Sequence, residues 1–176
     1  MVIACLGWGS LIWKPGTLPL ASEWFSDGPL LPIEFARVSD GGELATVVCV
    51  NAPPTKVLWA VLAVQTLEEA CAALREREQI PDERQDGVGT CVVEASSLGV
   101  IAEWANARQI DAVIWTALPP RIDNVEGRVP SIKAALAYLD GLSGGKLEHA
   151  RSYIEQVPAQ IDTAYRREIA KTLEWR

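Results

Sequence analysis

The apolar positions of this chain follow a strand-like pattern for about its first two thirds and a helical one afterwards. Residues 2–6 (VIACL) form a short continuous apolar run that ends at Gly7-Trp8-Gly9, which predicts a buried strand followed by a turn. LATVVCV (44–50), bounded by Gly41-Gly42 and Pro53-Pro54, predicts a second strand, and VLWAVLAV (57–64) a third. GTCVVE (89–94) and AVIWT (112–116) predict two more. In LPIEFARVS (31–39), Glu34 alternates against Ile33 and Phe35, which turns it toward solvent, with Arg37 three positions further on.

Between these runs lies a helix signal. Thr66 is placed to cap LEEACAALREREQ (67–79), Glu69 three residues on completes a capping box, and Pro81 ends the helix. After Pro119-Pro120 the texture changes. Pro130-Ser131 precede IKAALAYLDGL (132–142), an apolar-periodic helix stopped by Gly141 and the pair Gly144-Gly145. The tail from Leu147 reads as helical with a break near Pro158. The fold class expected is α+β, with a strongly curved or mostly closed sheet and a helical C-terminal region.

At 176 residues and 49% apolar content the chain fills one core, so a single domain over 1–176 is expected. Its formal charge is −7, and the basic residues are scattered singly or in pairs. Nucleic acid is therefore not an expected partner. The first apolar run has neither a basic leader nor the length of a membrane span, which predicts a cytoplasmic protein with no membrane partner. Cys5, Cys49, Cys71 and Cys91 are widely spaced among apolar neighbours, and His149 is the one histidine. No metal site and no cofactor are expected, and no nucleophile–histidine pairing is recognisable.

One acid stands out. Leu67, Cys71 and Leu74 make an inward stripe at i, i+4 and i+7, and its next position is Glu78, where a leucine would pack better. A carboxylate in that place has its charged form disfavoured and its pKa raised toward the range useful for proton transfer. Two other placements stay open: the helix frays before Pro81 and Glu78 meets water, or Glu78 pairs with an arginine from elsewhere in the chain. Gly7, Trp8, Gly9 and Ser10 leave a similar choice. Their backbone N–H groups can converge on an anion such as a carboxylate, or they form a plain turn. Arg37 serves a substrate carboxylate or an ion pair. Asp82, Glu83 and Asp86 read as a solvated loop, and Asp123, Glu126 and Arg128 as a polar connection able to form a lid.

GWGSLIWK (7–14) closely resembles the GYGSLIW-type opening motif of the γ-glutamylcyclotransferase superfamily, nearest its ChaC-like branch. VLWAVLAV followed by a helix ending LREREQ is similar to the family segment in which an Arg-Glu pair ends the helix, and FARVS (35–39) to its second stretch. The resemblance implies a γ-glutamylcyclotransferase-like fold, a curved or barrel-like mixed sheet with packed helices. It implies Glu78 as the catalytic acid–base group, Gly7, Trp8, Gly9, Ser10 and Leu11 as the substrate-holding loop, and a small γ-glutamyl compound as substrate. The implied reaction is attack of the substrate's α-amino group on its own γ-carbonyl, releasing 5-oxoproline and an amine without cofactor or metal. Trp8 replaces the family tyrosine, and Gln79-Ile80-Pro81 replaces its glycines and tyrosine, so a substrate other than glutathione is expected. A noncatalytic γ-glutamyl or amino-acid binder, or an interaction domain with a vestigial cavity, are the other readings of the same scaffold.

Overall fold

A computed structural model describes residues 1–175. In chain order the elements are β1 (Ile3–Gly7), β2 (Leu30–Val38), β3 (Leu44–Val48), β4 (Pro54–Lys56), β5 (Leu58–Val61) and α1 (Leu67–Glu78). They continue as β6 (Val88–Val92), α2 (Val100–Asn106), β7 (Ala112–Thr116), β8 (Arg121–Ile122) and β9 (Val125–Glu126). Three helices close the chain: α3 (Ile132–Asp140), α4 (Gly144–Gln156) and α5 (Ala164–Leu173). The class is α+β, with mixed, curved β-structure and packed helices, strands giving way to helices after Glu126.

The contacts of residues 1–176 group into two compact units. The first comprises Met1–Gly7, Leu11–Leu31 and Lys56–Leu118. Its sheet has the order β5-β1-β7-β6, with β1 parallel to β7 and the outer pairs antiparallel. The buried strand β1 and the neighbouring β7 supply Ile3, Cys5, Ala112 and Ile114 to a core on which α1 lays Ala70 and Leu74. Leu74 is fully buried, so truncation to alanine removes about 2–5 kcal/mol of stability.

Local chemistry sets both ends of α1. The Thr66 side chain accepts the Glu69 N–H while the Glu69 carboxylate accepts the Thr66 N–H, the reciprocal cap that the sequence predicts. At the other end, Gln79 adopts the left-handed conformation and donates its N–H to the carbonyls of Arg75 and Glu76. Glu78 is thereby the last helical residue.

The second unit comprises Trp8–Ser10, Pro32–Thr55 and Pro119–Arg176, with Arg176 outside the described residues. Its sheet runs β3-β2-β8-β9, and a register shift between Phe35 and Arg37 bends β2. The connection carrying Asp123 and Glu126 is the β8–β9 hairpin, joined to β2 through the parallel pair Arg37–Arg121. Asp123 and Asn124 both have positive φ, 54° and 58°, as a two-residue hairpin turn requires. Ser131 caps α3 by accepting the Ala134 N–H. Gly144 and Gly145, expected to stop a helix, instead begin α4 after the break at residues 141–143.

Candidate functional site

Glu78 ends α1 with its side chain only 16% exposed. Burial pushes its pKa up, and the Arg77 guanidinium, 2.8 Å away, pulls in the opposite direction without cancelling the rise. Arg77 donates to the Lys14 carbonyl through Nε (3.1 Å) and Nη2 (2.5 Å). This arginine therefore ties the end of α1 to the segment that follows the opening loop and holds the Glu78 carboxylate from one side. Glu78 reaches toward β1 as well: after burial, its charge is the next cause raising the pKa of the Cys5 thiol. Of the placements open in the sequence, the helix does not fray before Glu78, whose side chain is largely covered, and its arginine partner is the preceding residue of the same helix and not one from elsewhere in the chain.

The opening loop divides between the units. Gly7 and Leu11 belong to the first, Trp8, Gly9 and Ser10 to the second. Gly7 lies against the Trp24 ring, and a Cβ there would come 2.7 Å from Trp24 Cζ3. Trp8 is buried, and its carbonyl accepts the Thr46 hydroxyl (3.0 Å). The Tyr153 hydroxyl lies 2.9 Å from Thr46 Oγ1 and accepts the Thr46 N–H (3.1 Å). A Cβ at Gly9 would fall 2.6 Å from both Thr46 Oγ1 and the Tyr153 hydroxyl. Side chains of the protein itself thus demand the absence of a Cβ at these positions. Ser10 is half-buried and Leu11 packs in the core beneath α1.

Arg37 makes a bidentate ion pair with Glu126, Nη1–Oε2 at 2.8 Å and Nη2–Oε1 at 3.1 Å, and donates to the Pro119 carbonyl at 2.9 Å. Glu34 corrects the sequence reading. It is buried, not solvent-facing, because α5 covers that face of β2. Its carboxylate accepts the N–H of Phe35 (2.9 Å) and of Tyr165 (3.3 Å) at the first turn of α5, where a helix favours negative charge. Burial raises its pKa, and hydrogen bonds from Thr163, Phe35 and Tyr165 oppose the rise. Alternation could assign Glu34 a face but not what lies against it.

Asp82, Glu83 and Asp86 are exposed, as a solvated loop should be. His149 pairs with Glu43 at 2.8 Å. Among the described residues no group of three or more His, Cys, Asp or Glu side chains converges on a metal position, and no helix is long and apolar enough to cross a membrane. An open cleft of about 300 Å³ beside α3, α4 and the end of α5 is lined by residues such as Leu139, Leu147 and Trp175 and by none of the candidate site residues. The Thr46–Tyr153 pair had no sequence signal, since 107 residues separate its members. No protein-family model matches the chain, and no curated protein is significantly similar to it.

Proposed function

We propose that this protein is a γ-glutamyl cyclotransferase, cleaving a γ-glutamyl amide by internal attack of the substrate's α-amino group. The observation that carries the reading is the half-buried Glu78 carboxylate, with its raised pKa and the Arg77 brace to Lys14. A raised pKa makes the carboxylate a stronger base toward an α-ammonium group, and Arg77 favours its ionised form. Glu78 takes the proton from the α-ammonium. The freed amine attacks the γ-carbonyl carbon, a C–N bond closes the five-membered ring, and the original amide C–N bond breaks. Glu78 returns that proton to the leaving nitrogen and then passes on the second proton that the ring nitrogen sheds as the lactam forms, so 5-oxoproline and a protonated amine leave with no net consumption of water. The protein's main task is to fold the glutamyl chain back on itself, a proximity effect. In this reading the backbone of Gly7, Trp8, Gly9, Ser10 and Leu11 anchors the α-carboxylate, which agrees with the likeness of GWGSLIWK to the family's opening motif.

The test is incubation with γ-glutamyl dipeptides, γ-glutamylamines and glutathione, with 5-oxoproline as the readout. At least one compound other than glutathione should yield it. No 5-oxoproline from any member of the panel would contradict the proposal.

A further inference from the structure

We infer that the Thr116 hydroxyl is a second ligand-contacting group beside Glu78, donating to the carbonyl oxygen that becomes negative as the ring closes. The inference rests on the cyclotransferase reading. Three elements of the first unit send side chains into one apolar cluster: Ile3 and Cys5 from β1, Ala112 and Ile114 from β7, Ala70 and Leu74 from α1. β1 and β7 run parallel, with Cys5 opposite Ile114. Strand alternation makes the next positions on that face Gly7 and Thr116, and one helical turn past Leu74 is Glu78. β1 and β7 therefore reach Gly7 and Thr116 at the same end of the cluster, and Glu78 is tied to that end by its charge acting on the Cys5 thiol.

At that end Thr116 Oγ1 is buried with no hydrogen-bond partner among the described residues. Buried hydroxyls are ordinarily satisfied, and one that is not calls for an explanation such as a ligand. Trp24 Nε1 is likewise buried and unpartnered, on a ring that packs against the same cluster and lies over Gly7. An ionised Glu78 only accepts, so it serves the substrate's amine. The reaction also needs a donor for the carbonyl oxygen, and a preorganised neutral hydroxyl suits that task.

The experiment compares wild type, Thr116→Val and Thr116→Ser by melting temperature and by kcat and KM for 5-oxoproline release from γ-glutamylalanine or the best panel substrate. Valine keeps the shape and removes an unsatisfied group, so its melting temperature should equal or exceed wild type. Its kcat should fall by about ten- to a thousandfold with KM within about threefold, and serine should recover most of the loss. Thr116→Val retaining more than half of kcat overturns the inference while leaving the cyclotransferase reading intact. A lowered melting temperature for Thr116→Val also overturns it, because the hydroxyl would then be structural. If wild type turns over nothing, 5-oxoproline binding by calorimetry separates the two claims. Binding to the valine variant that is reproducibly weaker than to wild type, by up to about threefold, keeps Thr116 as a ligand contact, and equal or absent binding overturns it.

Discussion

Gln79 holds a left-handed backbone, φ 55° and ψ 39°, immediately after Glu78. Only glycine adopts that region without a Cβ penalty, so Gln79→Gly should raise stability by roughly 0.5–1 kcal/mol, read as the denaturation midpoint. Gly9 has the opposite constraint. Its substitution by valine should weaken the Thr46–Tyr153–Trp8 network and lower the melting temperature, whereas Ser10→Ala should change it less. Parallel melts of the two variants check this. Glu78 itself costs stability. Burial sets its folded pKa above the unfolded value, so the native state holds more protons between the two, and stability falls as pH rises from about 4 through the folded pKa. Glu78→Gln should therefore melt no lower than wild type at pH 7, with the gap closing toward pH 4. A clear drop at pH 7 would show that the Arg77 pair outweighs burial.

The elements legible in the sequence are those whose boundaries are set locally. α1 was readable at its first residue because Thr66 and Glu69 close a reciprocal cap within four positions. α2 gave no such signal: it spans seven residues, and its N-cap Gly99 offers no side-chain hydrogen bond. β8 and β9 have two residues each, and only the hairpin turn and the pairing to β2 make them strands. The burial of Glu34 depends on α5, which follows it by about 130 residues in the chain. Arg166 works over a much shorter span in the packing of the C-terminal helices. Its guanidinium donates to the carbonyls of Ile154 (2.9 Å), Val157 (2.6 Å), Pro158 (2.7 Å) and Ile161 (3.1 Å), closing the end of α4 and the turn beyond it. Arg166→Ala strands these acceptors and should cost about 2–4 kcal/mol, measured by denaturant unfolding. Lysine should recover little, because an ammonium cannot reproduce the planar fork.

For the molecule as a whole, the acidic charge of −7 argues against a polyanionic ligand, and the chemistry proposed asks for no Lewis acid. Activity should accordingly be the same before and after extensive chelation. The candidate site was legible in the sequence to the extent that one helix stripe and one loop motif named Glu78 and the residues from Gly7 to Leu11. The brace from Arg77 to Lys14 and the open Thr116 hydroxyl were not, since both are set by folding across the first unit. Among panel substrates, one other than glutathione should have the highest kcat/KM, because Gln79-Ile80-Pro81 and Trp8 depart from the family pattern where the leaving group would be read. The central claim is that Glu78 moves the proton, and the direct measurement is the rate of 5-oxoproline release by folded Glu78→Gln against wild type on the best substrate. The account predicts a loss of about a hundred- to ten-thousandfold with the melting temperature kept. A variant that retains more than half the wild-type rate would contradict it.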